Sequence, residues 1–255
     1  MIVFGTLCLM TIGAISYACS DKALDIDDVE QVSTRAIEEK PANKYYSVLP
    51  GTAEWRGLES GEAMFAVCQL SEDQIRDLST EELVDACVLF PMAYDYILVN
   101  DERLATSFAI EHFNGLAELS KREDGIDALI EKYKKMQYSE GIINISGIDR
   151  SFALDLGYIE LLLIDKSFFD KMGDEELKEL NDAALFRYEE KLNHLNYTIP
   201  TEIKRSLLVL AKVRLRIDYS LSSKEKQDIE DFIDNYLFYN EENLENISRI
   251  LMRTF

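Results

Sequence analysis

The stretch EDGIDALIEKYKKMQY, residues 123–138, decides the fold class. Ile126, Leu129, Ile130, Tyr133 and Met136 fall at i, i+3, i+4, i+7 and i+10, while Glu131, Lys132, Lys134 and Lys135 fill the other side. That spacing turns one face of a 3.6-residue helix into a core and leaves the charges in water.

The same grammar extends in both directions. Ser79-Thr80-Glu81-Glu82 is a capping box, in which the Ser79 hydroxyl accepts from the Glu82 amide and Glu82 reaches back. Leu83, Val84, Cys87, Val88 and Phe90 then form an apolar face, and Pro91 stops the helix. Ser71-Glu72-Asp73-Gln74 is a second box, and Asn100-Asp101-Glu102 opens a helix carrying Leu104, Phe108 and Ile110. Toward the C-terminus, Phe152–Ile164 is helical in pattern. Gly173-Asp174-Glu175-Glu176 opens a helix to about Asn193, with Leu177, Leu180, Ala184, Leu185, Tyr188 and Leu192 expected inward. Pro200 sits in the first turn of the next helix, Ser222-Ser223-Lys224-Glu225 caps another, and Asn240 caps the last. Residues 139–150, SEGIINISGIDR, break the period and predict either a loop between two helical halves or one short strand. The expected fold is all-α: a multi-helical bundle or a short irregular α–α superhelix of about ten helices.

The N-terminus reads differently. Residues 1–18, MIVFGTLCLMTIGAISYA, are apolar and uncharged, which fits a signal peptide better than a membrane span of about 20 residues. They end in Ser16-Tyr17-Ala18-Cys19, which resembles the lipobox of bacterial lipoproteins; the resemblance makes Cys19 the acylated first residue of the mature protein. Ser16 stands where a branched aliphatic is usual, and no Lys or Arg precedes the apolar run, as an upstream start would supply. The alternatives are a periplasmic protein or an uncleaved membrane anchor. Residues 19–51 are acidic and weakly periodic, closing on Pro50-Gly51, and are expected to form a flexible tether. An acidic tract just after the lipidated cysteine resembles the surface-export signal of Bacteroidota lipoproteins, so the expected location is the outer membrane or cell surface. The body is then 52–255, with candidate halves 52–140 and 150–255.

The chain has 48 Asp and Glu against 27 Lys and Arg, a formal charge of −21. Such a chain repels nucleic-acid phosphates and anionic lipid, so nucleic acid is set aside as a partner and the membrane is expected through the acyl anchor only. The charge serves solubility, or a basic partner such as an enzyme to be inhibited.

Residues 79–124 resemble a family of uncharacterised, secreted, helical lipoproteins of the Bacteroidota. The likeness lies in the capped Ser79-Thr80 helix, the Phe90-Pro91 turn, and Asn114-Gly115-Leu116-Ala117-Glu118-Leu119 leading to Arg122 and Asp124. It implies export and an all-helical body and brings no activity. The motif residues Ser79, Pro91, Asn114, Gly115, Arg122 and Asp124 have an architectural reading, with turns at Phe90-Pro91 and Asn114-Gly115 and charges bracing neighbouring helices.

Little chemistry is announced. His112 and His194 lack neighbours at metal-ligand spacing, so no metal and no cofactor are expected. Cys68 and Cys87 lie nineteen residues apart on candidate neighbouring helices, as a disulfide or as two small apolar side chains. Nucleophile-elbow, phosphate-loop and dinucleotide motifs are missing from the sequence. One helix is anomalous: 201–219 carries Lys204, Arg205, Lys212, Arg214 and Arg216 in an acidic chain. It is a candidate anion or partner patch, or a set of cations paired with acidic neighbours. Three functions follow: a non-enzymatic binding or scaffold protein with a protein or glycan partner, an acidic inhibitor or immunity-type protein, and a glycan hydrolase with paired carboxylates.

Overall fold

Seen in a computed structural model, which describes residues 44–136, 142–145, 148–194 and 200–253, the chain is helical apart from one short hairpin. The first half holds α1 (Ala53–Arg56), α2 (Gly61–Val67), α3 (Glu72–Asp77), α4 (Thr80–Val88), α5 (Ala93–Ile97), α6 (Glu102–His112), α7 (Asn114–Leu119) and α8 (Gly125–Lys135). Strands β1 (Ile142–Ile145) and β2 (Ile148–Ser151) pair antiparallel, Ile142 opposite Ser151. The second half holds α9 (Phe152–Ile164), α10 (Lys166–Phe169), α11 (Asp174–Asn193), α12 (Pro200–Ile217), α13 (Ser223–Asn235), a 3-10 turn (Tyr236–Phe238) and α14 (Glu241–Leu251). The described helices exceed the expected ten because α1, α3, α5, α7 and α10 are six residues or shorter, too short to show an apolar period. Where one strand or a loop was expected, there are two strands.

Local capping sets the helix starts. Ser71, Ser79 and Ser222 each complete a capping box with Gln74, Glu82 and Glu225, and Asp101 and Asn240 cap α6 and α14. Packing then centres on α9 and α12. The α9 residues Leu156 to Ile164 are all buried, so the helix is enclosed on every side. It packs against α4, α5, α6 and α8 from the first half and α12 from the second. The two candidate halves therefore share one core, and residues 40–255 form one unit.

The expected tether is also shorter at its end. Tyr46 and Leu49 are buried, the Tyr46 hydroxyl donates to the Ala86 carbonyl at 2.7 Å, and Gln74 Nε2 donates to the Tyr45 carbonyl. Residues 44–51 thus belong to the body, because two large side chains find core there. The expected signal segment, residues 1–18, and Cys19 lie outside the described residues.

The family-like motif is architecture. Asn114 closes a two-way clamp on Leu70, accepting from its amide at 2.9 Å and donating to its carbonyl at 2.7 Å. A side-chain amide here stands in for a β-bridge partner. Gly115 must be glycine, since a Cβ would sit 2.6 Å from the Phe113 ring. Arg122 donates to the carbonyls of Ile75 (2.8 Å) and Leu78 (2.9 Å) at the end of α3, and Asp124 accepts from Thr80 Oγ1 at 2.8 Å. Asn114-Gly115 starts α7 rather than stopping a helix.

The last half of α11 departs from the expected face at Leu192, while Leu185 and Tyr188 are half-buried against the core. Leu192 and Phe186 are exposed, Phe186 by 57%, while Arg187 and Lys191 are buried. Arg187 donates to the carbonyls of Tyr133, Lys134 and Met136, which end α8, at 2.7–2.9 Å through Nη2. Replacing Arg187 by Met should cost about 3 kcal/mol, because those carbonyls lose charged donors. Phe186→Ser should cost under about 0.5 kcal/mol, as for exposed sites generally. Chemical denaturation of both variants checks this; equal losses would show that the apolar face, not the cationic one, is inward.

Candidate functional site

The cations of α12 do not form a surface patch. Lys204 Nζ donates to the Leu237 carbonyl (2.9 Å), Lys212 Nζ to the Ile164 carbonyl (2.8 Å), and Arg216 to the Phe169 and Met172 carbonyls (2.7 and 3.0 Å). Arg205 donates to the Ile97 carbonyl at 2.9 Å and pairs with Glu102 and Glu202. The expectation of an anion site at Lys204, Arg205, Lys212 and Arg216 is corrected: their charges are spent on helix ends and on two buried carboxylates. Among the described residues Arg205 alone of these four is ion-paired with carboxylates, Asp165 and Asp170 lie near Lys212, and backbone carbonyls hold all four.

Around α12 lies a buried ionic cluster. Glu160 of α9 accepts from Lys191 Nζ (2.7 Å), Tyr133 (2.8 Å) and Ser206 (2.6 Å). Lys191 also donates to the Glu202 carbonyl at 2.8 Å. Arg205 bridges Glu202 and Glu102, and Glu102 accepts from the Tyr236 hydroxyl. Glu102, Glu160 and Glu202 stand against Lys191 and Arg205, so the formal balance is 2 − 3 = −1. Glu202 is fully buried and its Oε2 has no hydrogen-bond partner among the described residues. Burial pushes its carboxyl above the usual range, against the pull of Lys191 and Arg205 and with the help of Glu160. A proton on Glu202 brings the cluster to neutrality. Gly157 leaves the room, because a Cβ there would lie 2.5 Å from both Arg205 Nη1 and Glu202 Oε2. The cluster is sealed, so it serves the core rather than a substrate.

A groove of about 610 Å³ opens instead between α13 and α14. Lys224, Glu225 and Asp228 line one wall and Asn243, Asn246 and Arg249 the other, with Tyr239 between the helices. Ile247 is buried at its base. Arg253 reaches across to Glu225, and this contact, with the Ser222 bonds, holds the Glu225 carboxyl down at about 2. The Tyr239 ring is fixed by a T-shaped contact with Phe232, centroids 5.0 Å apart. Among the lining residues three cations face two carboxylates, and Glu245, 3.3 Å from Arg249, brings the local balance to 3 − 3 = 0 in a chain of −21. The sequence reading missed these residues. A trace existed in Asn240, Asn243 and Asn246, which recur every three residues, but the groove exists only once α14 folds back on α13.

Cys68 and Cys87 are both buried free thiols, and burial lifts the Cys68 thiol to about 12. They pack as small apolar side chains, and the candidate disulfide is not formed. His112 is exposed, stacks on Phe108 with centroids 3.9 Å apart, and bonds the Phe108 carbonyl through Nδ1. Among the described residues no three His, Cys, Asp or Glu side chains converge as metal ligands, and no helix is long and apolar enough to cross a membrane.

Glu202 yields a signed pH prediction. Its folded pKa lies above its ordinary 4.5, so its share of stability is complete below 4.5 and is lost as pH rises through the folded value. Glu202→Gln, which cannot ionise, should gain stability relative to wild type as pH rises from 4.5 toward 8. Urea unfolding of both proteins at matched pH values reads the difference; a constant gap across that range would rule the proton out.

No protein-family model, curated protein or solved structure matches the chain.

Proposed function

We propose that the protein is an exported, envelope-anchored helical protein that binds a protein or glycan partner without catalysing a reaction, and that the groove between α13 and α14 receives the partner. The groove is the observation that carries this reading. It is open, about 610 Å³, lined by both charge signs, amides and an aromatic ring, and set on two helices rather than on loops. Its first wall is positioned by the Ser222 capping box and its second by the Asn240 cap. The signal-like residues 1–18, Cys19 and the acidic tract behind it support anchoring at the outer membrane or cell surface, as in the Bacteroidota lipoproteins the motif resembles.

The hydrolase reading finds less support. A glycosidase needs a carboxyl kept protonated near neutral pH beside the scissile bond. Glu225 in the groove is held low by Arg253, and Glu202, whose carboxyl is raised, is sealed in the core. A second reading, an acidic inhibitor or immunity-type protein, is favoured by Leu98, Val99, Leu104 and Phe108, all exposed on and before α6. Such apolar residues on an acidic chain suit the centre of a protein interface.

Two measurements test the proposal. Mass spectrometry of the mature protein from its native envelope should find Cys19 first, carrying acyl mass; an unacylated Cys19 or an intact Met1 removes the acyl anchor. Crosslinking in the same envelopes should yield a partner that Asn246→Ala/Arg249→Gln loses and that Leu104→Ser/Phe108→Ser keeps. The opposite pattern would transfer the binding site to α6.

A further inference from the structure

The groove between α13 and α14 is built for a particular chemistry, and the following rests on the reading of that groove as the binding site. We infer that its ligand is an acidic carbohydrate, a saccharide bearing carboxylate or sulfate groups.

Three features select that class. The first is charge. Buried and half-buried cations elsewhere are held by carbonyls and carboxylates, and the chain as a whole stands at −21, yet this groove is locally neutral, with Lys224 and Arg249 available. Lys224 and Arg249 are exposed at its rim. Arg249 is only loosely engaged, 3.3 Å from both Glu245 and Asn246, so it can turn to an anion without breaking a tight pair. Arg253, by contrast, is committed to Glu225 and shapes the wall.

The second feature is the amide pair. Asn243 and Asn246 lie one turn apart on the α14 wall, both exposed. Each amide offers a donor and an acceptor side by side, which matches the adjacent hydroxyls of a sugar ring. An acidic peptide could meet the cations and bond the amides through its backbone, but a run of acidic residues brings no apolar ring face for the base of the groove.

The third is the apolar base. Tyr239, Ile247 and Ile250 line the same groove as the amides. A pyranose ring carries C–H groups on one face and hydroxyls on its rim, so it needs a flat apolar surface flanked by polar groups. Tyr239, pinned edge-to-face by Phe232, supplies a ring whose position costs no entropy on binding. A groove of about 610 Å³ falls within the range of small-ligand sites, roughly 300–1,000 Å³.

Calorimetry with the detergent-solubilised full chain tests this. The probes are trigalacturonic acid, a sulfated N-acetyllactosamine that carries no carboxylate, neutral maltotriose and a triglutamate peptide. At least one acidic saccharide should bind, weakening as salt is added. Maltotriose and triglutamate should bind at least about tenfold more weakly. Lys224→Gln/Arg249→Gln, both exposed positions, should lose about tenfold for the acidic saccharide with an unchanged melting temperature. Between the two acidic probes, the tighter one identifies carboxylate or sulfate. If maltotriose or triglutamate binds best and Asn246→Ala weakens it, the acidic-carbohydrate assignment falls while the groove stands as the site. If no probe shows variant-sensitive binding, the assignment is overturned, and the crosslinking pattern decides the groove separately.

Discussion

Helix C-termini govern this fold. Each helix ends in carbonyls that its own backbone leaves unbonded, and the usual remedy is a glycine in the left-handed conformation. Among the described residues the only positive-φ glycine is Gly51, in the turn before α1, not at a helix end. Cations distant in sequence, from helices and turns, do the work instead. Arg122 caps α3, Arg187 caps α8, Lys171 caps α7 through Ser120, and Arg103 reaches the Ile233 carbonyl of α13. The five cations of α12 serve α5, α9, α10, the 3-10 turn and α14, through Ile97, Ile164, Phe169, Leu237 and Leu251. A charged donor on a carbonyl contributes more than a neutral one, about 1.5–3 kcal/mol, and the negative end of a helix dipole adds to it. One helix thereby gathers the ends of five others.

Burying so much positive charge in α12 has an electrostatic consequence. Arg205 and Lys191 cannot stand alone in the core, and Glu102, Glu160 and Glu202 surround them. Three acids around two bases leave one charge too many, and the orphaned Oε2 of Glu202 is where it falls. The hydroxyls of Tyr133, Ser206 and Tyr236 occupy other oxygens of the set, so each buried carboxylate except that one atom is satisfied. The core thus trades some stability for a fixed mutual register of α6, α9, α11 and α12, since ion pairs of this kind specify geometry that apolar contacts would leave slack.

How much of this was legible in the sequence depends on how far each cause reaches. Helix starts were legible because Ser71, Ser79, Asp101, Ser222 and Asn240 act on amides three residues away. So was the buried face of α8, where the apolar stripe and the burial coincide at Leu129, Ile130 and Tyr133. The face of α11 was read in part: Leu177, Leu180 and Ala184 are buried and Leu185 and Tyr188 half-buried, but the three-four line continues through Arg187 and Lys191 and not to Leu192. Its last two members are cations, which hydrophobicity alone could not name. Their true partners, Tyr133 and Glu160, lie 54 and 31 residues away. The α12 cations were noticed as an anomaly, but nothing local reveals that Arg205 meets Glu102 across 103 residues. The groove was illegible for the same reason: its two walls are ordinary polar helix faces until the α13–α14 turn sets them opposite each other.

The charges drawn into the interior nearly cancel, so the net charge is carried by the surface. A formal −21 spread evenly would leave acidic and basic groups mixed over the surface. Here Arg187, Lys191, Lys204, Arg205 and Arg214 are withdrawn into the interior together with Glu102, Asp155, Glu160, Asp165, Glu202 and Asp218, so burial leaves the net charge outside almost as it was. The surface stays strongly acidic, and a group of exposed cations on it is correspondingly conspicuous. Lys224, Arg249 and Arg253 have exposed positions around one concave feature, beside amides and a fixed tyrosine. On such a surface an anionic ligand is repelled over most of the body and tolerated at the groove, so the field that keeps the protein soluble also directs where an acidic partner can settle.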